Sequence, residues 1–314
     1  MYPVLLTIGP LVISSLGLFL SLAFLSAVFI AWRLAKLYDV KEEKILDVAM
    51  VTFGGGFLGA RLYAVIFNWE AFGSFEKILF VQRYPGLSFW GGLIGGALAF
   101  WLFTRALKLQ FWQVADFAVV GVLLGLVFGN IGCFLGGCGY GVVSGLPVAL
   151  PVVGLIGKRL PVSLIESLVF LWLFFSLFKQ VVKFHFAGKI TAVFLIWLGI
   201  VKFMTEFYRG DSRQVISPFW VSYGHTFAIL ALSAGVVIFY IRSKRNVLDD
   251  LHNLIKLFSS SKRREVLLSS WKKSWYNHKT AWKVGFGKMS LAIKSLPKKF
   301  RRKLNVKPTP TNIR

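Results

Sequence analysis

Four ionisable side chains stand out within the long apolar stretches of this sequence: Arg61, Glu166, Lys202 and Glu206. A charged group at membrane depth is costly, so it is a functional candidate by default and normally has a partner. The two cations can hold an anionic headgroup, and the two carboxylates can orient those cations. These four residues are therefore the first candidates for a binding or catalytic site.

The candidates admit alternative interpretations. Arg61 either holds a lipid phosphate near the membrane interface or snorkels toward the headgroups. Lys202 and Glu206 are four residues apart and share a helix face, so they either pair with each other or face a polar cavity and orient a headgroup. His225 opens an apolar stretch, and we predict a polar histidine with satisfied hydrogen bonds rather than a catalytic one.

The segment GNIGCFLGGCGYG, residues 129–141, holds six glycines in thirteen residues and disfavours a plain helix. It is either a loop whose N–H groups bind an anion or a surface for close helix packing. Cys133 and Cys138 do not have the C-x-x-C spacing of a redox pair, so we predict small packing residues there. Two cysteines also cannot supply a four-ligand zinc site, and we expect neither a metal nor a cofactor.

The composition determines the solvent that positions these residues. The chain has 314 residues, of which 56% are hydrophobic and 16% charged, and its mean hydropathy is +0.67. Soluble domains carry about 25% charged residues, so lipid is the expected solvent. The apolar runs are long and unbroken rather than alternating, which favours helices over a β-barrel. The sequence therefore predicts an all-α, polytopic membrane protein.

Seven transmembrane helices are predicted within residues 1–241, followed by a basic C-terminal tail at 242–314. The spans are 8–32, 46–68, 88–107, 113–135, 163–183, 189–207 and 219–241. Lys and Arg are more frequent in the connections that lie on the side of the C-terminus. The positive-inside rule then predicts a multi-pass protein of the bacterial inner membrane, with its N-terminus outside and its C-terminus cytoplasmic.

The tail contains 20 Lys and Arg residues against 3 acidic residues. Apolar and aromatic residues recur in it at helical spacing, with lysines between them. This pattern is typical of interfacial helices that bind anionic lipid, followed by a disordered end. A solvated basic tail is the alternative, and we expect no nucleic acid partner. The spaced residues are Leu248, Leu251, Leu254, Ile255 and Phe258, then Trp271, Trp275, Trp282 and Phe286.

Eight segments together resemble the prolipoprotein diacylglyceryl transferase family and follow its order over residues 1–241. The resemblance implies transfer of a diacylglyceryl group from phosphatidylglycerol to the lipobox cysteine of a prolipoprotein, recognised with its signal peptide. The nucleophile is then the thiol of the substrate. The segments are IGPLVISSLGLFL, GGGFLGARLYAVIFNW, YPGLSFWGGLIGG, FWQVADF, GNIGCFLGGCGYG, LPVSLIESL, GKITAVFLIWLGIVKFMTEFYRGD and SYGHTFAIL.

The resemblance also implies roles for residues of this chain. The implied roles are catalysis for Glu206, Glu166 and Lys202, phosphate binding for Arg61, Asn130 and Arg209, and loop shape for Gly132 and Gly141. Six positions depart from the residues usual in the family. The departures are Leu16 for tyrosine, Trp90 for histidine, Asn130 for arginine, Cys133 for asparagine, Cys138 for glutamate and Lys202 for arginine.

These departures leave two alternatives to the enzyme. The first is a catalytically altered or inactive family member that acts as a lipid-binding or scaffold membrane protein. The second is a small-molecule transporter, which predicts internal inverted repeats that the sequence does not display convincingly.

Overall fold

The structure is a computed structural model that describes residues 3–8, 11–38, 40–67, 69–79, 88–152, 154–183, 185–211, 215–216, 221–246 and 269. The chain divides into two units, Met1–Lys244 and Arg245–Arg314. Apart from Ser269, the predicted interfacial helices and the predicted disordered end of the tail lie outside the described residues.

The described part of the first unit contains nine helices and six short strands. In chain order they are β1 (Val4–Ile8), β2 (Leu11–Ser14), α1 (Ser15–Leu37), α2 (Glu42–Phe67), α3 (Trp69–Phe72), α4 (Phe75–Leu79), α5 (Phe89–Ala106), α6 (Phe111–Gly136), β3 (Leu150–Pro151), β4 (Lys158–Arg159), α7 (Val162–Val181), α8 (Lys189–Glu206), β5 (Val215–Ile216), β6 (Val221–Ser222) and α9 (Tyr223–Ser243). The strands form three antiparallel pairs, β1–β2, β3–β4 and β5–β6.

Each of the seven predicted apolar spans coincides with one long helix. Five of the described helices, α1, α2, α6, α7 and α9, are long and apolar enough to cross a membrane. In α5 the apolar stretch is shorter, Gly91–Ala106. Helix α8 has 18 residues and includes Lys189, Lys202 and Glu206. The chain is thus a mainly helical, multi-pass membrane protein, as predicted, with short strands in its connections.

The first span begins later than predicted. Residues Val4–Ile8 and Leu11–Ser14 form an antiparallel hairpin, and α1 starts at Ser15. The pair Gly9–Pro10 is a turn signal between runs rich in β-branched residues. The Ser14 hydroxyl accepts a hydrogen bond from Gly17 N at 3.1 Å and caps the helix. Local turn and cap chemistry therefore outweighs hydrophobicity here.

Helices pack mainly in pairs, α1 on α6, α2 on α5 and α8 on α9, with α7 against α6. Glycines let two of the backbones approach closely. A Cβ on Gly59 of α2 would lie 2.4 Å from the carbonyl oxygen of Gly91 in α5. Such small-residue contact is the usual route to tight association in lipid, where the hydrophobic effect does not drive helices together.

Candidate functional site

The candidate residues meet where α6 and α8 end and where α7 and α9 begin. These four helix ends are joined by side-chain hydrogen bonds and by main-chain bonds between their connecting loops. The last turn of α8 and the loop after it contribute Lys202, Glu206 and Arg209. Cations near the C-terminus of a helix are stabilised by its dipole, so this end suits Lys202 and Arg209.

Glu166 of α7 is held by two partners from α8. Lys202 Nζ lies 2.6 Å from its Oε2, and the Thr205 hydroxyl donates to its Oε1 at 2.6 Å. The side chain of Glu166 is only 4% exposed, whereas that of Lys202 is 23% exposed. Part of the ammonium group therefore stays accessible while the carboxylate fixes its position.

Lys202 and Glu206 do not pair with each other, so one of the alternatives from the sequence is wrong. Lys202 contacts Glu166, and Glu206 accepts a hydrogen bond from the Ser222 hydroxyl at 2.6 Å. The order of the two charges explains this, because a lysine four residues before a glutamate is the weaker arrangement on a helix. Partners on α7 and at the start of α9 bind them instead.

Arg209 follows α8 and bridges two carboxylates. It donates to both oxygens of Asp211, from Nε at 3.0 Å and from Nη2 at 3.1 Å, and its Nη1 lies 3.8 Å from Glu206. The hydrogen bond that Arg209 donates to Asp211 raises the pKa of Arg209 above its ordinary value, against an opposing effect of burial. Asp211 also accepts from Gly139 N at 3.0 Å. Arg209 is thus a fixed, permanent cation that is tied to the loop after α6.

Main-chain hydrogen bonds join the loop after α6 to the segments before α7 and after α8. Gly141 N donates to Leu160 O at 2.7 Å, and Gly210 N donates to Tyr140 O at 2.9 Å. A Cβ on Gly141 would lie 2.7 Å from Leu160 Cβ and 2.8 Å from Tyr208 O. Glycine is therefore required at 141 for close backbone approach, and its role in shaping the loop stays a prediction.

Gly132 does not shape a loop, in contrast to the prediction. Helix α6 continues to Gly136, and the left-handed Gly137 ends it. A Cβ on Gly132 would lie 2.5 Å from Phe19 Cβ, so this glycine serves packing of α1 on α6. The interpretation as separate packing cysteines is also wrong, because Cys133 and Cys138 are joined by a disulfide. The bond ties the last turn of α6 to the loop.

Arg61 is buried at 5% exposure and therefore does not snorkel to the headgroups. Its guanidinium donates to the carbonyl oxygens of Lys77 and Ile78 and lies 4.7 Å from the ring centroid of Phe72. These contacts are with the α3–α4 segment rather than with the Glu166–Lys202 pair. Arg61 therefore fixes that segment against the end of α2.

Asn130 lies within α6, and its amide donates to Leu126 O at 3.0 Å. Trp90 lies in the first turn of α5. Leu16 belongs to the first turn of α1. A Cβ added to Gly136 would lie 3.4 Å from Leu16 Cβ. These departures from the family pattern therefore lie at the beginnings of two helices and near the end of a third.

Sequence reasoning missed several residues of the site: Thr205, Asp211, Ser222 and Arg159. Asp211 stands two residues after Arg209, and Ser222 precedes a helix at the position of an N-cap, so both carried a signal. Arg159 did not, because its role depends on the fold. Its Nη1 lies 3.5 Å from Gly141 O, and its buried Nε has no hydrogen-bond partner among the described residues.

The arrangement can bind an anion with fixed geometry. Lys202, Arg209 and Arg159 supply three cations, and the carboxylates of Glu166, Glu206 and Asp211 hold the first two in place. Preorganised cations in a partly buried site stabilise developing negative charge more strongly than cations in water. A phosphate at this end of the bundle would therefore meet groups that need little rearrangement.

Comparisons with known proteins identify the family of the chain. The sequence profile of the prolipoprotein diacylglyceryl transferase family matches residues 3–241. Three similar proteins are each named phosphatidylglycerol–prolipoprotein diacylglyceryl transferase. The one from Clostridioides difficile (strain 630) is 27% identical over 230 residues, covering 73% of this chain and 91% of the relative.

The relative from Lactococcus lactis subsp. lactis (strain IL1403) is 30% identical over 250 residues, covering 77% of this chain and 95% of its own length. The relative from Streptococcus pneumoniae serotype 4 (strain ATCC BAA-334 / TIGR4) is 31% identical over 252 residues, with the same two coverages of 77% and 95%. The match extends over the whole helical region that carries the site. The chain belongs to the prolipoprotein diacylglyceryl transferase family.

Proposed function

We propose that this protein transfers a diacylglyceryl group from phosphatidylglycerol to the cysteine thiol of a prolipoprotein. The observation that carries the proposal is the pair of cations at the end of α8. Lys202 is fixed by Glu166 and Arg209 by Asp211, and their side chains stay 23% and 30% exposed. Membership of the family and the relatives named for this reaction support the same activity.

The phosphate of the donor lipid is held by Lys202 and Arg209 in this proposal. Arg159 is the third ligand in this proposal. Its Nη1 lies 3.5 Å from Gly141 O, and its Nε–H, which has no hydrogen-bond partner among the described residues, is available to donate to a phosphate oxygen. Arg61 acts differently from the other cations, since two main-chain carbonyls occupy its guanidinium. Its contribution is to hold the α3–α4 segment against α2.

Glu166 and Glu206 orient these cations, and Asn130 hydrogen-bonds the headgroup through its carbonyl oxygen. The reaction forms a thioether bond between sulfur and the glyceryl carbon and breaks the bond from that carbon to a phosphate oxygen. Glycerol phosphate leaves with the electron pair of the broken bond. The incoming thiol must lose its proton, because the thiolate is the nucleophile.

All seven long helices span the membrane in this proposal, with the N-terminus outside and the site at the outer face. The asymmetry of Lys and Arg in the connections supports this orientation. Cysteines introduced at Gly145 and at Lys108 test it, since impermeant thiol reagents should label only the first in intact cells. Labelling of Lys108→Cys from outside would contradict the orientation.

The basic tail, residues 242–314, binds anionic lipid on the cytoplasmic side in this proposal. Its charge and its aromatic spacing support this function. A peptide of residues 247–288 should bind vesicles that contain phosphatidylglycerol and release them as salt is raised. Equal binding to neutral vesicles would contradict an electrostatic role.

The transfer itself is tested with the purified full chain in vesicles. A lipobox peptide should gain the mass of a diacylglyceryl group when phosphatidylglycerol is present, and glycerol phosphate should be released in equal amount. Phosphatidylethanolamine is the matched donor control. Absence of product under conditions in which the Lactococcus lactis relative is active would refute the enzyme and favour the lipid-binding scaffold. Complementation of cells depleted of their own transferase gives the same answer in vivo.

A further inference from the structure

His225 has one nitrogen engaged and the other unengaged. It is 8% exposed and lies in the first turn of α9. Its Nδ1 lies 2.9 Å from Ser222 Oγ, whereas its Nε2 is buried and has no hydrogen-bond partner among the described residues. The prediction of a fully satisfied polar histidine is therefore wrong. An orphaned buried polar atom calls for an explanation beyond helix capping.

The shortest hydrogen bonds around Ser222 favour a proton on Nδ1 over the capping-box arrangement, in which Nδ1 accepts from Ser222 N. The hydroxyl proton of Ser222 is committed to Glu206 Oε1 at 2.6 Å. The contact between Oγ and Nδ1 then uses the imidazole proton, so Nδ1–H donates to Oγ. A competing contact from Ser222 N to Nδ1 is longer, at 3.4 Å. In this tautomer Nε2 carries a lone pair and can accept a proton.

A carboxylate is connected to the imidazole through the serine. Glu206 is linked to His225 through Ser222, and a Cβ on Gly224 would come within 2.4 Å of both carboxylate oxygens. Only glycine lets this carboxylate sit against the start of α9. A carboxylate that orients an imidazole and stabilises its cation is the arrangement of hydrolase triads, here with a serine as the bridge.

The imidazole of His225 packs against the end of α8. The rings of Phe203, in α8, and Phe207, directly after this helix, contact the imidazole with centroids 5.1 and 4.6 Å away. Phe203 follows Lys202 directly, so His225 on α9 lies against the turn of α8 that carries the ammonium group. The side chain of Phe207 is largely exposed.

We propose that His225 Nε2 is the general base that takes the proton of the incoming cysteine thiol, an inference that rests on the proposed transferase function. The S–H bond breaks and its proton moves to Nε2. The sulfur electron pair forms the C–S bond as the C–O bond to phosphate breaks. The proton then passes from the imidazolium to the departing glycerol phosphate, which returns the neutral base.

The test compares His225→Gln with the wild-type full chain in the vesicle assay. Glutamine at this position of a helix can still reach back to the cap main chain, but it cannot take up a proton. A lost general base should slow transfer by about 100-fold or more. The deficit should shrink as pH rises toward 9, because a free thiol ionises by itself near 8.5. Among the residues that the structure describes, Glu206 and, beyond it, Arg209 are the charged groups next to this assembly, and both stay intact.

Control variants distinguish a role of His225 as general base from a role in helix capping, and from failure of the transferase function itself. Thr226→Val removes a neighbouring 3.4 Å bond to Ser222 O and should leave the rate unchanged. His225→Glu, which restores a proton acceptor, should be faster than His225→Gln. A wild-type rate in the glutamine variant, or a deficit that is equal at every pH, would overturn the proposal. If that variant does not fold, Ser222→Ala carries the test, with about tenfold slowing expected and an unchanged rate overturning it. An inactive wild-type chain would refute the transferase function instead.

Discussion

Replacing Lys202 by methionine should separate the structural and functional roles of the Glu166–Lys202 pair. The substitution removes the ammonium group but keeps most of the apolar stem. Glu166 then remains buried with Thr205 as its hydrogen-bond donor from α8. A buried carboxylate that loses its cation becomes protonated or destabilises the fold.

The size of the effect follows from burial. Breaking a buried ion pair by removing one partner costs roughly 3–5 kcal/mol. The 23% exposure of the Lys202 side chain admits water, so we expect the lower end, about 3 kcal/mol. Changing Glu166 to glutamine as well removes the stranded charge and still accepts from Thr205. The double variant should therefore lie within about 1 kcal/mol of wild-type stability.

Denaturation in mixed micelles measures the loss of stability, and diacylglyceryl transfer to a lipobox peptide measures the loss of activity. Both the single and the double variant should transfer about 100- to 1,000-fold more slowly, because a preorganised cation at the phosphate is gone. Lys202→Arg, which keeps the charge, should retain transfer and serves as the control. If the double variant regained activity together with stability, Lys202 would have only a structural role and the proposed phosphate site would be wrong.

Three further predictions concern the loop of the site, the start of α8 and the disulfide. Gly141→Ala should abolish transfer and lower stability, because its Cβ would clash with two backbone carbonyl oxygens. Gly145→Ala is the control and should be neutral in both assays, because a Cβ there would have no atom within 4 Å. Asp116→Ala should destabilise the protein by about 1–3 kcal/mol in mixed micelles, because the main-chain N–H groups of Gly188 and Thr191 lose their acceptor at the start of α8. A stability within about 0.5 kcal/mol of wild type would contradict this. Cys133 and Cys138 should resist alkylation until reduced, and reduction should cost up to about 2 kcal/mol, so that labelling without reductant would refute the disulfide.

The long helices could be predicted from the sequence because their apolar runs match the thickness of a bilayer. The boundaries could be predicted less well, as the hairpin before Ser15 shows. There a turn signal and a serine cap act over a few residues, within a run whose hydrophobicity alone indicates a helix. The end of α6 illustrates the opposite case. Glycines at 129 and 132 weaken the helix locally, but packing against α1 compensates and the helix continues to Gly136.

The ionisable residues of the site could be predicted because charge inside an apolar stretch is rare. Their partners could not be predicted, since partners depend on which helices are neighbours. Arg61 shows this most clearly, because two carbonyls of the α3–α4 segment occupy its guanidinium. No periodicity in the sequence brings residues 61, 77 and 78 together. Glu206 likewise depends on Ser222, sixteen residues away and at the start of another helix.

The cross-helix partners also explain how the site can keep its shape in a chain that departs from its family. Lys202 is tied to α7 and Glu206 to α9, so α8 is held from both sides at its functional end. Asp211 adds a third connection, to the loop after α6 through Gly139. Of the two cations that remain partly exposed, Lys202 is thus fixed by a carboxylate of another helix, and Arg209 by an aspartate of its own loop that also binds Gly139. Substitutions near the end of α6, such as the two cysteines that form the Cys133–Cys138 disulfide, can then be accepted as long as these connections persist.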